Sequence, residues 1–113
     1  MATGELAFRE RRLAPRHAPK GSTRVICHRG PYGLGPNLAL GLVDVSETGV
    51  RLLAAAALDK GQELDVALSG PGLSRPCRVP AEVIWCRPGP EGKYVVGARF
   101  QRRLRYGDLA HLI

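Results

Sequence analysis

The chain has 113 residues, 44% hydrophobic and 24% charged, which fits one small domain around one core and argues against two independent domains. Its net charge is +7, and 14 of its 17 basic residues are arginine. That bias favours an anionic partner held by planar guanidinium forks.

No apolar run approaches the roughly 20 residues of a membrane helix, and Met1 to Glu5 has neither the basic nor the apolar part of a signal peptide, so the expected location is the cytoplasm. Cys27, Cys77 and Cys86 include no C-x-x-C pair, and His17, His28 and His111 do not fall at ligand spacing. These facts argue against a disulfide framework and a zinc knuckle. Cys27 and Cys86 read as small core residues.

In chain order, residues 1–21 are polar, arginine-rich and punctuated by Pro15, Pro19 and Gly21, which suggests a flexible leading arm. Order is expected from Ser22, so the division is an arm over 1–21 and a folded body over 22–113. Thr23 to His28 is rich in β-branched residues and reads as a strand; Arg29 to Pro36, with three glycines and two prolines, reads as a loop. Leu38 to Val45 alternates larger with smaller apolar residues and gives a second strand. Ser46 to Gly49 is a polar turn closed by a glycine able to take positive φ, and Val50 to Ala55 resumes the apolar pattern. Asp59-Lys60-Gly61 is a turn before an alternating segment, Glu63 to Leu68. Gly70 to Pro76 is loop. Cys77 to Arg87 forms a long strand with Val79, Ala81, Val83 and Trp85 in alternation, and Pro88 to Gly92 ends it. Lys93 to Phe100 sets Tyr94, Val96, Ala98 and Phe100 on one face, and a short terminal helix is expected from about Asp108. Six short strands with turn signals between them indicate an antiparallel barrel or sandwich.

The sequence has no P-loop, no H-E-x-x-H, no G-x-S-x-G and no cysteine beside a usable histidine, and Gly33-Leu34-Gly35 lacks the rest of a dinucleotide fingerprint. The chain therefore reads as a binding protein and not an enzyme, with no metal and no cofactor. Two segments carry recognition chemistry. Arg12-Leu13-Ala14-Pro15-Arg16 offers guanidiniums, which donate bidentately to phosphate or to guanine O6 and N7. Asp44-Val45-Ser46-Glu47-Thr48-Gly49 offers a carboxylate that accepts from guanine's N–H edge and a serine hydroxyl. Taken alone, Asp44 and Ser46 also fit a turn cap that satisfies backbone amides.

The order of these two segments, their separation and the all-β pattern after them resemble the PilZ domain. That family carries R-x-x-x-R ahead of its barrel, matched by Arg12 and Arg16, and [D/N]-x-S-x-x-G on it, matched by Asp44, Ser46 and Gly49. Val83-Ile84-Trp85 and Tyr94 to Phe100 look like its late strands. The resemblance implies a bacterial cyclic di-GMP receptor: a six-stranded antiparallel β-barrel with a short C-terminal helix, the ligand lying between the arginine arm and the barrel surface. It further implies that Arg12 and Arg16 hold phosphates and guanine edges, that Asp44 and Ser46 bind the base, and that Gly49 permits close approach. Arg11 beside the motif implies an intercalated pair of ligands. Trp85 is either a wall of the binding surface or core, and Arg51 and Arg99 read as solvated strand residues that add positive potential. Ligand binding is expected to order residues 9–20 over the barrel and so alter the surface offered to a downstream protein. Two other readings stand beside this one. The first is a basic barrel that binds single-stranded nucleic acid, weakened by the scatter of Phe8, Tyr32, Trp85, Tyr94, Phe100 and Tyr106. The second is a PilZ-fold adaptor that binds proteins and no nucleotide.

Overall fold

The computed structural model describes residues 15–113. Six strands form one antiparallel sheet: β1 (Arg24–Arg29), β2 (Ala39–Val45), β3 (Gly49–Ala54), β4 (Glu63–Ser69), β5 (Cys77–Pro88) and β6 (Tyr94–Phe100). Their order in the sheet is β1-β4-β5-β6-β3-β2. Curling brings β1 and β2 side by side, so the sheet is a nearly closed barrel. Along the β1–β2 seam, one backbone hydrogen bond joins the described residues of the two edges, from Leu38 N–H to the Cys27 carbonyl at 2.7 Å. Asn37 helps to hold the seam: its Oδ1 accepts from the backbone N–H groups of Cys27 and Ala39 at 2.8 and 3.0 Å.

Alternation places one face of each strand inside. Leu64, Val66 and Leu68 of β4, Val79, Ala81 and Val83 of β5, and Val96 and Ala98 of β6 fill the interior with Leu52, Val50, Val45 and Cys27. Cys27 is fully buried, and Cys86 packs against the core while partly exposed. A short helix α1 (Tyr106–Ala110) follows β6 and begins two residues earlier than the sequence suggests, after an extended Arg105. Its Leu109, with Leu104 and Leu112, caps one end of the core.

Two local features bear on open or incorrect points of the sequence reading. The β5–β6 register shifts between Val83 and Trp85, so the extra residue Ile84 rotates Trp85 off the inward row of Val79, Ala81 and Val83; Trp85 then pairs with Gly97 on the outer face and Cys86 with Val96 inside. Among the described residues, the glycines with positive φ are Gly30, Gly33, Gly35, Gly61 and Gly92, and Gly49 is outside that set. What demands glycine there is space, because a Cβ on Gly49 would lie 2.6 Å from the Ala98 carbonyl oxygen on the neighbouring strand.

The segment before β1 lies on the barrel from Pro15 onward. His17 forms an antiparallel bridge with Val45, the two residues exchanging backbone hydrogen bonds of 2.9 and 3.0 Å. Farther along, Lys20 N–H and the Thr23 hydroxyl both donate to the Leu112 carbonyl, at 2.8 and 2.7 Å.

Candidate functional site

The β2–β3 hairpin builds the site. Ser46 N–H donates to the Gly49 carbonyl at 2.9 Å, and the Ser46 hydroxyl oxygen accepts from the N–H groups of Thr48 and Gly49, each at 3.2 Å. Ser46 is buried and fixes the turn. The last residue of β6 and the segment after it brace the turn: Phe100 N–H donates to the Thr48 carbonyl, Leu104 N–H to the Glu47 carbonyl, and Arg103 to the Glu47 carboxylate, all at 2.8 Å.

Pairing around this turn sets Val45 opposite Val50 and Asp44 opposite Arg51. The Asp44 side chain is only 10% exposed, a costly place for a carboxylate unless cations meet it. Two do. Arg51 donates from Nε to Oδ2 at 2.7 Å and makes a second contact through Nη2, and Arg16 donates from Nη1 to Oδ1 at 3.2 Å. The hydrogen bond to Asp44 is the main cause raising the Arg51 guanidinium above its ordinary range. Of the two residues that also fitted a turn cap, Ser46 acts as one, whereas Asp44 faces outward into a pair of guanidiniums.

Across the barrel's outer face, the register continues this row from Asp44 through Arg51 and Gly97 to Trp85. With neighbouring strands about 4.8 Å apart, Arg51 and Trp85 stand roughly 10 Å from one another, separated by a bare glycine. The indole leans on that glycine: a Cβ on Gly97 would come within 2.6 Å of Trp85 Cζ2. Arg87 Cζ lies 4.7 Å from the ring centroid. In the next row Arg99 pairs with Gly49, is exposed, and forms no ion pair with a described residue. The arrangement is a shallow cationic shelf with one buried carboxylate at one end and an aromatic ring at the other.

The structure thus gathers Arg16, Asp44, Ser46 and Gly49 at one hairpin and puts Trp85 on the same outer face. Arg11 and Arg12 lie outside the described residues. Arg51, read from the sequence as a solvated strand residue, keeps 38% of its side chain exposed and is also the principal partner of Asp44. The signal for it was present, because a four-residue turn at Ser46 to Gly49 places residue 51 across from residue 44.

The family model of the PilZ domain matches residues 10–113, nearly the whole chain. The chain is a PilZ domain. No curated protein and no solved structure matches it. PilZ domains are cyclic di-GMP-binding signalling domains, and as a class they are ligand receptors and not enzymes. Among the described residues of this PilZ domain, no helix is long and apolar enough to cross a membrane, and no group of His, Cys, Asp and Glu is placed to hold a metal ion.

Proposed function

We propose that this PilZ domain is a cyclic di-GMP receptor whose ligand lies on the shelf between the arginine arm and the outer face of β2, β3 and β6. The observation that carries the reading is the buried Asp44 carboxylate held by Arg16 and Arg51. Guanine's N1–H and exocyclic N–H present to a carboxylate the same paired donors that a guanidinium does. An arriving base can therefore take Asp44 over from Arg16. The released Arg16, with Arg12, holds phosphate oxygens and the base's O6 and N7 edge, while Arg51 keeps the carboxylate ionised and in place. Ser46 and Gly49 hold the hairpin in the shape this exchange requires.

Trp85 supplies a stacking surface for a base at the far end of the shelf, where Arg87 now sits over the ring. Arg11 contacts a second ligand molecule intercalated with the first. Because Asp44 exchanges partners, the segment ahead of the His17–Val45 bridge closes over the ligand with that bridge as its pivot, ordering the arm and altering the surface that a downstream protein meets.

Calorimetric titration with cyclic di-GMP, against GTP and the linear dinucleotide as controls, tests ligand and stoichiometry together. Arg16→Ala should weaken binding by about 2–5 kcal/mol, the usual cost of truncating one partner of a desolvated, charge-assisted pair. Unchanged affinity in that variant would remove the site assignment. No binding by the unaltered protein would favour the protein-binding adaptor, and one ligand per chain would remove the role of Arg11.

A further inference from the structure

A second surface adjoins the nucleotide shelf along β2, on the side where β1 and β2 face each other. Outward positions of an exposed strand are ordinarily polar, yet Ile26 of β1 and Leu40 and Val43 of β2 are between 43% and 52% exposed, and Tyr32 and Leu34 of the connecting loop are 79% and 73% exposed. These five are all but one of the large hydrophobic residues exposed among the described residues, Tyr106 being the other. Scattered apolar side chains need no explanation, but Ile26, Leu40 and Val43 lie on two adjoining strands beside a groove, which marks an interaction surface.

The loop is supported from beneath. Gly33, at φ +66°, packs against the ion pair of Arg78 and the buried Asp65; a Cβ there would lie 2.6 Å from Asp65 Oδ2. Gly33 is thereby held against the outer face of β4 and β5, across β1 from the groove. Between the barrel edges runs a groove of about 380 Å³ whose lining includes Lys20, Arg24, Val25, Leu40 and Leu42. It follows the seam that a single backbone hydrogen bond closes.

Charge decides what can cover this face. Lys20, Arg24 and Arg29 are exposed around it, and none forms an ion pair with a described carboxylate. A second copy would bring the same three cations against their counterparts, in a protein whose net charge is already +7. We propose that the β1–β2 face docks a partner protein through a segment that sets apolar side chains among carboxylates, the apolar groups on Ile26, Leu40 and the groove, the carboxylates on Lys20, Arg24 and Arg29. The surface needs no nucleotide, so its test is separate from that of the ligand shelf.

The test selects random short peptides displayed on phage against the full chain without nucleotide, then titrates those recovered by fluorescence anisotropy. Selected peptides should be acidic and apolar in composition. Leu40→Lys, Ile26→Lys and Arg24→Glu should each weaken them by about tenfold or more, as for a residue central to an interface, while Tyr106→Ser should not. Leu40→Ser covers the case in which Leu40→Lys fails to fold, and thermal unfolding checks each variant. Recovery of no binders, of peptides without acidic enrichment, or of peptides indifferent to Leu40 and Ile26 would overturn the proposal. A dimer in sedimentation that Leu40→Lys dissociates would also overturn it, since the occupant would then be a second copy.

Discussion

Replacing Gly49 by alanine isolates what the last residue of the Asp44–Gly49 motif does. A new Cβ would stand 2.6 Å from the Ala98 carbonyl oxygen, whereas close carbon–oxygen contacts settle at about 3.3–3.6 Å. Roughly 0.7 Å must be found by separating β3 from β6, because the obstructing atom is backbone and cannot rotate away. Overpacking of this kind costs about 1–3 kcal/mol, partly offset by about 0.4–1 kcal/mol because alanine restricts the unfolded chain. A net loss of about 1–2 kcal/mol lowers the melting temperature of a domain this size by roughly 5–10 °C, measured by circular dichroism. Gly41→Ala is the internal control: it lies on the same hairpin with φ outside the positive range and nothing within 4 Å of the added carbon, so its melting temperature should hold or rise. Equal melting temperatures for Gly49→Ala and the unaltered protein would refute the close-approach reasoning. If the strand separation also disturbs the Ser46 turn, cyclic di-GMP affinity falls in Gly49→Ala without loss of any ligand-contacting side chain.

Three further outcomes are expected. Arg51→Ala leaves Asp44 with Arg16 alone and should weaken cyclic di-GMP binding in calorimetry at least tenfold; Arg51→Lys should restore little of it, since a point charge does not reproduce the Nε and Nη2 fork. Trp85 is the sole tryptophan, so its emission should change and saturate with ligand occupancy; constant emission beside a calorimetric binding signal would remove the stacking role. Burial, assisted by the charge of Asp65, pushes the Cys27 thiol from its ordinary 9.0 to about 12. Above pH 9 the unfolded thiol ionises while the native one stays protonated, so the stability present below pH 9 is lost as pH rises toward 12, at up to about 1.4 kcal/mol per unit. Urea denaturation across that range should show a shallower decline in Cys27→Ala than in the unaltered chain.

The strands were legible because turn residues punctuate them: the prolines and glycines of 29–36, 70–76 and 88–92 delimit β1, β4, β5 and β6 to within a residue or two of where they form. Antiparallel pairing was legible from the short strands and the turns between them, but the placing of β1 beside β4 and of β3 beside β6 was not. The sequence left Trp85 open between outer surface and core, since strict alternation carries it inward with Val83, and only the register shift at Ile84 turns it outward. Within the site, residue types exposed the chemistry of Asp44 and Arg16 but not the hierarchy between cations. Arg51 is defined by a cross-strand pairing, and one arginine among 14 offers no sign of its importance until that pairing is counted. Of the two reasons the sequence offered for Gly49, a left-handed turn and a close approach, the backbone discards the first and shows a close approach to the Ala98 carbonyl.

The shared hydrogen bonds of the Leu112 carbonyl, to Lys20 N–H and to the Thr23 hydroxyl, make the two ends of the barrel near neighbours. A domain whose entry and exit points adjoin can be spliced into a host loop without prying that loop apart, which makes this barrel a ready insert for a sensor. It also means that whatever is joined at either end feels the same joint. Under the proposed closure of the arm, a reporter fused after Ile113 would sit beside the segment ahead of β1, through the Lys20 and Thr23 bonds to the Leu112 carbonyl.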